Sequence, residues 1–251
     1  MLRKTIATAL LATSALGAQA QTATPPATVV LVHGAFADGS DWAQVIPLLQ
    51  AKGLRVTAVQ NSLESLAGDA AATRRSIDAA PGKVILVGHS WGGSVITEAG
   101  TDSKVAALVY VAAFAPGTGQ TTGELGKDYP PSPGQREFQK DAHGYLSLSP
   151  KGMRDAFAQD LPAATTTVMA ATQGAIQAKV FGEAITTAAW LSKPSWYIVS
   201  EQDRMIPPAL QRAMAIRIKA NTSSLQASHV AHRSHPAEVA QVILEAAGIT
   251  R

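Results

Sequence analysis

The feature that most constrains the fold is a serine placed directly after an apolar, β-branched run. Residues 84–93 read Val-Ile-Leu-Val-Gly-His-Ser-Trp-Gly-Gly, so Ser90 is the centre of a Gly-x-Ser-x-Gly motif. This spacing is typical of a tight strand-to-helix turn that raises the serine hydroxyl above the edge of a sheet. Gly88 and Gly92 are small enough to let the strand and the helix pass each other. The motif therefore predicts a nucleophilic serine between a buried strand and a helix.

The rest of the pattern predicts one α/β domain around a mainly parallel sheet. At 251 residues and 46% hydrophobic content the chain can bury a full core, and strand and helix patterns alternate along it. The predicted strands are residues 28–33, 54–60, 84–88, 104–113, 195–200 and 223–228. The predicted helices are at about 40–51, 63–80, 92–101, 208–219 and 236–247. We therefore expect a six-stranded sheet with helices on both faces.

The segment between the fourth and fifth predicted strands, residues 117–190, is too long to be a simple loop. Connections of this type usually have about 2 to 6 residues, so the segment is expected to form a helical cap over the active site. A part rich in Gly, Pro and Thr, residues 117–134, precedes predicted helices at about 134–142, 150–158 and 162–173. The apolar candidates for lining a pocket are Phe114, Phe138, Tyr145, Leu146, Phe157, Met169, Val180, Phe181 and Trp190.

A nucleophilic serine needs a base and a carboxylate that orients the base. In folds that use this turn, both groups follow the serine along the chain, the acid before the histidine, on loops at the carboxyl ends of strands. The fifth predicted strand runs into Glu201-Gln202-Asp203. Asp203 is the favoured acid, because the residues after it resemble a loop that leads into the next helix. Glu201 stays the alternative.

Three histidines, His229, His232 and His235, follow the last predicted strand. Their regular spacing suggests a metal cluster at first sight, but the chain has no cysteine and no acidic residue lies between them, so no metal site is predicted. His229 is the favoured base because it comes first after the strand. His235 stands beside Pro236 at the start of the final helix, and His232 has no assigned role; both remain alternatives.

The first predicted strand ends in His33-Gly34-Ala35-Phe36. A turn at this place can put a backbone amide beside the nucleophile, and the amide of Ala35 is the candidate. The amide of Trp91 is its predicted partner. Two such donors form an oxyanion hole, which stabilises the charge that develops on the substrate oxygen. The ring of His33 is expected to be structural, because it precedes the nucleophile strand.

With these residues in view, the chain resembles an α/β-hydrolase from about Thr28 to its C-terminus. The first loop, residues 32–36, and the serine motif, residues 88–93, are similar to those of small esterases grouped with plant methylesterases and hydroxynitrile lyases. The same group resembles this chain in the segment 202–207 and in the pair Ser228-His229. The resemblance implies a small-molecule ester as substrate and no cofactor.

The family's functional residues map onto the candidates already named. The resemblance implies a catalytic triad of Ser90, Asp203 and His229, with oxyanion amides from Ala35 and Trp91. Such a site cleaves carboxylic esters through an acyl-enzyme intermediate. A cofactor-free haloperoxidase or perhydrolase would use the same triad, and a non-catalytic binding protein could use the same fold; both remain alternatives.

Two departures from the lyases favour an esterase. The lyases of this group carry a lysine directly after the histidine and a threonine in the first loop, whereas this chain has Val230 and Gly34. Dehalogenases and epoxide hydrolases place an aspartate where Ser90 stands. We therefore expect a mostly apolar pocket whose polar groups are the triad and the oxyanion amides. Such a pocket suits small uncharged esters, with acetate to hexanoate esters cleaved faster than laurate.

The N-terminus has the pattern of a cleavable signal peptide. Met1-Leu2-Arg3-Lys4 is basic, residues 5–16 are apolar, and Ala18-Gln19-Ala20 is a small-x-small cleavage site. The apolar run is shorter than the roughly 20 residues that span a bilayer. A signal peptide of residues 1–20, a mature domain of residues 21–251 and a periplasmic or secreted protein are therefore expected.

Removal of the signal peptide also lowers the net positive charge of the chain. Because Arg3 and Lys4 leave with it, the formal net charge falls from +3 to +1. No cluster of basic residues suggests a nucleic-acid partner, and no membrane insertion is expected after cleavage. The pattern leaves the oligomeric state open.

Overall fold

A computed structural model of the chain describes residues 27–249. The predicted signal peptide, residues 1–20, and its cleavage site lie outside the described residues. Within residues 27–249, no helix is both long enough and apolar enough to cross a membrane.

The central element is a six-stranded parallel sheet with the strand order β2-β1-β3-β4-β8-β9. In chain order the strands are β1 (Thr28–Val32), β2 (Arg55–Val59), β3 (Val84–His89), β4 (Val105–Val111), β5 (Phe138–Lys140), β6 (Tyr145–Leu148), β7 (Ile176–Gln177), β8 (Ser195–Ser200) and β9 (Asn221–Leu225). Strands β1 and β3 are buried at every position, as expected for the middle of a parallel sheet that is covered on both faces.

Helices cover both faces of this sheet. They are α1 (Ile46–Gln50), α2 (Leu66–Ala79), α3 (Trp91–Ala99), α4 (Pro150–Gly152), α5 (Ala163–Thr172), α6 (Pro208–Arg217), α7 (Ala231–Ser234) and α8 (Pro236–Ala246). Alternate residues of β1 enter two separate cores: Val30 belongs to the core that includes residues of α2, α3 and α6, whereas Leu31 belongs to the core that includes residues of α1 and α8. This two-residue alternation places a helix layer on each side.

The predicted α/β-hydrolase fold with a six-stranded, mainly parallel sheet is confirmed. Most element bounds agree within a few residues, but the helix predicted at 40–51 is divided into a 3-10 helix, Gly39–Trp42, and the short α1. Pro47 lies in the first turn of α1. Because proline lacks an amide proton, it is tolerated in the first turn of this helix but cannot continue the preceding one.

The segment between β4 and β8 has structure of its own, but one helix predicted there is wrong. Residues 133–137 form a 3-10 helix, and Phe138–Lys140 form β5 in place of the second half of the helix predicted at 134–142. The cause is a hairpin turn, in which the Asp141 carboxylate accepts hydrogen bonds from the amides of His143 and Tyr145 and Gly144 has a φ of +87°. Such side-chain bonds compete with helix formation.

The rest of this segment mixes short elements. Strands β5, β6 and β7 form a three-stranded antiparallel sheet. The helix predicted at 150–158 is a short α4 followed by a π-helical turn, Met153–Phe157, whereas the one predicted at 162–173 is α5.

Buried polar contacts attach the segment to the body of the fold. Glu98 on α3 accepts hydrogen bonds from the amide and the hydroxyl of Thr186, and Glu183 accepts one from the amide of Leu66 at the start of α2.

Candidate active site

Ser90 lies at a strained turn between β3 and α3. Its backbone has φ 51° and ψ −119°, a region that a residue with a side chain occupies only where the surrounding structure enforces it. A Cβ on Gly88 would lie 2.5 Å from the carbonyl oxygen of Gly92, and a Cβ on Gly92 would collide with the carbonyl of Val32. The prediction that two small residues let strand and helix pass each other is therefore confirmed.

His229, which lines the same cavity as Ser90, is hydrogen-bonded to Asp203. The Nδ1 atom of His229 donates a hydrogen bond to the Oδ2 atom of Asp203 over 2.7 Å, and both side chains are almost fully buried. The remaining capacity of the carboxylate is also used: its oxygens accept from the amides of Met205 and Ile206 and from the side chain of Gln211. A carboxylate with this many donors is held in one orientation, and it fixes the tautomer of His229.

Gln211 is a part of the site that sequence reasoning gave no role. From the buried face of α6 its amide group donates to Asp203 and to the carbonyl of Ile206, while its side-chain oxygen accepts from the amide of Ser200. It thus joins the end of β8 to the loop that contains Asp203. The sequence signal that could have identified Gln211 is a polar residue at a buried position of a helix.

The alternatives to Asp203 and His229 have other partners. Glu201 forms an exposed ion pair with Arg212, whose hydrogen bond lowers the pKa of the Glu201 carboxyl below its usual value. His235 is half-buried and bonds the hydroxyl of Ser234. His232 is buried in contact with Asp41. Within residues 27–249, Asp203 is the carboxylate bonded to the ring of His229.

The two residues predicted to supply oxyanion amides lie beside Ser90. Ala35 and Trp91 line the same cavity as Ser90 and His229. Trp91 is the first residue of α3, so its amide has no carbonyl one turn back inside the helix. The indole of Trp91 donates to the buried carboxylate of Asp69 over 2.9 Å, which fixes the orientation of this side chain.

Hydrogen bonds fix the loop after β1 to two other parts of the chain. The amide of Phe36 donates to the carbonyl of Gly174 in the segment between β4 and β8. His33 donates from Nδ1 to the carbonyl of Gly34 and accepts at Nε2 from the amide of Asn61. Burial lowers the pKa of His33, which favours its neutral form. The expectation that this ring is structural is confirmed.

A cavity of about 520 Å³ opens above Ser90 and His229. All five phenylalanines of the chain line it: Phe36, Phe114, Phe138, Phe157 and Phe181. Further apolar surface comes from Tyr129, Met205, Ile206, Leu210 and several prolines. The wall of the cavity is therefore predominantly apolar and rich in aromatic rings.

The sequence-based list of lining residues is right in part. Four of the nine candidates line the cavity, and the other five do not: Tyr145, Leu146, Met169, Val180 and Trp190. The expectation that the triad and the oxyanion amides are the only polar groups is wrong, because Thr122, Lys127 and Gln135 also lie on the wall. Lys127 is largely exposed, with its Nζ atom 3.8 Å from Glu124.

A larger hollow of about 760 Å³ runs along the outer edge of β2. It contains none of the predicted site residues and no histidine or acidic side chain. The chemistry suggested by the sequence therefore belongs to the smaller cavity above Ser90.

Next to His229 lies a second group of polar side chains, Asp41, His89, His232 and Arg233, here called the rear cluster. Asp41 accepts hydrogen bonds from Nε2 of His232 over 2.6 Å and from Arg233 over 2.8 Å. Burial alone would raise the pKa of Asp41, but the contacts with His232 and Arg233 outweigh it and lower the pKa.

The rear cluster contains three residues of the types that bind metal ions. Ligand atoms of Asp41, His89 and His232 lie within 4.8 Å of one another. However, both carboxylate oxygens already accept hydrogen bonds, and the guanidinium of Arg233 opposes a second cation. This donor set does not fit a metal ion.

Comparisons with known proteins agree with this geometry. Residues 29–242 match the model of the alpha/beta hydrolase family. A pyrethroid hydrolase of Sphingobium wenxiniae is 30% identical over 252 aligned positions, which cover 86% of this chain and 86% of that protein. Methylesterase 1 of Arabidopsis thaliana is 36% identical over 110 positions, covering 36% of this chain and 40% of that protein. The crystal structure of a pyrethroid hydrolase has a TM-score of 0.75 at 26% identity and covers 88% of this chain and 98% of that one.

The chain belongs to the alpha/beta hydrolase family. The predicted resemblance, which included the plant methylesterases, is confirmed. The predicted enzyme class, a hydrolase of carboxylic esters, is also the class of these relatives.

Proposed function

We propose that Ser90 attacks the carbonyl carbon of a carboxylic ester while Nε2 of His229 accepts its hydroxyl proton. The imidazolium then gives this proton to the leaving alkoxide, which departs as the alcohol and leaves an acyl group on Ser90. A water molecule, deprotonated by His229, attacks the acyl group, and the acid is released as the proton returns to Ser90. Asp203 orients the imidazole and stabilises its positive charge.

The observation that carries this proposal is the buried hydrogen bond between His229 and Asp203 beside a strained serine. With Nδ1 of His229 occupied by the carboxylate, its Nε2 atom is left to act as the base. Ser90 and His229 both line the cavity, whereas Asp203 lies behind the imidazole. This is the order of groups that a serine hydrolase requires.

The amides of Ala35 and Trp91 are proposed to bind the oxyanion of the tetrahedral intermediates. Both residues adjoin Ser90 on the cavity wall, and their amides need no side chain to act. Loss of one such donor typically costs about 2.7 to 4 kcal/mol of transition-state stabilisation. The hydrogen bonds from the Phe36 amide to the Gly174 carbonyl and from the Trp91 indole to Asp69 hold the two segments that carry these amides.

The substrate is proposed to be a small uncharged ester that carries a ring. A cavity of about 520 Å³ accommodates a molecule larger than a simple alkyl acetate, and five phenylalanines around it offer edge and face contacts to a ring. Because one relative is named for its action on pyrethroids, a pyrethroid belongs among the substrates to be tested.

The test of the triad is hydrolysis of a soluble p-nitrophenyl ester by the wild type and by Ser90→Ala. We expect the substitution to reduce turnover by at least about 10³-fold, because the nucleophile is lost. A Ser90→Ala protein that is folded and keeps wild-type turnover contradicts the proposal. Binding without turnover in the wild type would instead indicate a non-catalytic binding protein.

The test of the substrate class compares benzyl acetate with cyclohexylmethyl acetate, and 3-phenylpropanoate with 3-cyclohexylpropanoate esters. Aromatic pairs contribute about 0.5 to 1.5 kcal/mol beyond area burial, so kcat/KM is expected to favour the aromatic member of at least one pair by about 2- to 10-fold. Phe181→Leu should reduce this preference. Equal rates for both members of both pairs contradict an aromatic preference.

A chain-length series tests the proposal from another side. Acetate to hexanoate esters are expected to react faster than laurate, because the enclosed cavity is not the broad amphipathic surface on which an interfacial lipase depends. A rate that increases with chain length and rises sharply above the solubility limit of the substrate contradicts this expectation.

Export of the enzyme is supported by the basic, apolar and small-residue regions of residues 1–20. The protein is proposed to be periplasmic or secreted, with cleavage after Ala20. Mass spectrometry of the protein from fractionated cells should find a chain that begins at Gln21 outside the cytoplasm. An intact chain that begins at Met1 in the cytoplasm contradicts it.

A further inference from the structure

The residue before the nucleophile, His89, contacts the main chain of the base. Its Nε2 atom lies 3.0 Å from the carbonyl oxygen of His229, and both residues are buried. Because a carbonyl oxygen can only accept a hydrogen bond, His89 must carry its proton on Nε2. This bond joins a residue adjacent to Ser90 with the residue that supplies the imidazole, across 140 positions of the chain.

The ring of His89 is enclosed on two sides by other rings. Its centroid lies 4.7 Å from that of His229 and 4.4 Å from that of His232, and the ring of Trp42 lies 4.5 Å behind His232. These side chains have almost no exposed surface. Close packing of this kind leaves His89 little freedom to rotate away from the His229 carbonyl.

The rest of the rear cluster fixes the segments that flank this contact. Asp41 lies in the 3-10 helix that follows the loop containing Ala35, and it binds His232 and Arg233 of α7, which lie three and four residues after His229. The cluster thereby connects the segment after the proposed oxyanion loop with the segment after the proposed base.

We propose that His89 is a positioning residue for His229: its Nε2–H group holds the main chain of His229 so that the imidazole faces Ser90, and the ring of His232 backs it. This inference rests on the proposed function. It adds a task for His89 and for the rear cluster that the triad itself does not include.

The neutral form of His89 suits this task. Burial, together with the neighbouring His232 and His229, lowers the pKa of His89 well below its usual value. A positive charge on His89 would oppose the positive charge that His229 acquires when it takes the proton of Ser90. A neutral ring can hold the main chain of His229 without this repulsion.

The main test compares two substitutions of His89 in kcat and KM. His89→Leu fills part of the space but has no donor, whereas His89→Gln keeps an N–H group that can reach the His229 carbonyl. A misplacement of about 1 Å can cost about 10²-fold in rate, so His89→Leu should lower kcat by about that factor while KM stays within about threefold. The kcat of His89→Gln should be at least about tenfold higher than that of His89→Leu.

The matched control is His235→Ala, which removes a half-buried histidine of the same region that belongs neither to the rear cluster nor to the cavity. Its kcat should equal that of the wild type. The proposal is overturned if folded His89→Leu and His89→Gln have the same kcat, or if His89→Leu turns over like the wild type.

A second measurement needs no substitution, so it holds even if His89→Leu fails to fold. The ¹⁵N chemical shifts of histidine-labelled wild-type protein at pH 7 should show His89 as a neutral ring with its proton on Nε2. A proton on Nδ1 alone overturns the proposal. Failure of the proposed function would give a different result. If Ser90→Ala protein were still active, the proposed triad would be wrong, but the measured tautomer of His89 would be unaffected.

Discussion

Residues 27–249 contain two buried histidine–carboxylate pairs whose histidines lie three residues apart in the chain. His229 donates to Asp203 over 2.7 Å, and His232 donates to Asp41 over 2.6 Å. The first pair uses Nδ1 of its histidine and leaves Nε2 on the side of the cavity. The second pair uses Nε2, and Arg233 occupies the other oxygen of its carboxylate. Similar bonds therefore occur in two different settings.

This difference shows that a histidine–carboxylate pair is not a catalytic device by itself. His229 lies on the cavity wall beside Ser90, whereas His232 is enclosed by Trp42 and His89 with no access to the cavity. A base must reach the proton that it removes. The second pair cannot do so, and its contribution is to hold two loops together.

The largest expected effect separates the two histidines. His229→Ala should lower kcat by at least about 10⁴-fold, because both proton transfers lose their carrier. His232→Ala should lower the turnover of folded molecules by no more than about tenfold, although it removes packing behind His89. Steady-state kinetics on protein shown to be folded by circular dichroism measures both. A greater loss in His232→Ala than in His229→Ala reverses the assignment.

The next effect is on stability and concerns the carboxylate of the second pair. Asp41→Asn should lower the free energy of unfolding by about 3 kcal/mol, since breaking a buried ion pair leaves its partners uncompensated. The matched control is Glu201→Gln, which breaks the largely exposed pair with Arg212 and should cost less than about 1 kcal/mol. Urea unfolding at pH 7 compares the two. Equal losses would mean that the rear cluster contributes no more than a surface pair.

A smaller effect depends on pH. Folding lowers the pKa of His89, so the unfolded chain binds a proton on this residue more readily than the folded chain does. The free energy of unfolding therefore decreases as the pH falls below about 6.5. Between pH 7.5 and 5.5 the wild type should therefore lose about 1.4 kcal/mol more than His89→Gln. Urea unfolding at the two pH values gives this difference. An identical loss in both proteins would show that His89 is not held neutral.

The smallest expected effect is that of the third histidine. His235→Ala should change the free energy of unfolding by less than about 0.5 kcal/mol, because a half-exposed side chain outside both pairs contributes little. Thermal unfolding of His235→Ala and of the wild type under the same conditions measures this difference. A large decrease in the free energy of unfolding would mean that His235, at the start of α8, contributes to stability as the rear cluster does.

Sequence reasoning reached the parts of the site that local pattern controls. The turn at Ser90 is encoded by the residues around it, and Asp203 and His229 follow from the order of strands and loops. The bond between Asp41 and His232 joins positions 191 apart, and no local pattern of either residue reports such a contact. The sequence therefore predicts no role for His232 and gives no signal that singles out Asp41.

The same contrast applies to the fold. Near-continuous apolar, β-branched runs predicted the central strands of the main sheet, because burial on both faces requires them. The segment between β4 and β8 was predicted less well, since β5 forms through pairing with β6 and a side-chain turn at Asp141. The gathering of all five phenylalanines around one cavity is likewise a tertiary arrangement.

The most direct test measures how fast a serine-directed phosphonate labels the protein, in the wild type, in Asp203→Asn and in Asp41→Asn. Labelling needs the base but no later step of turnover. We predict that the label is found on Ser90, that Asp203→Asn slows labelling by at least about 10³-fold, and that Asp41→Asn stays within about tenfold of the wild type. A label on another residue, or a slower reaction in Asp41→Asn than in Asp203→Asn, would contradict the account.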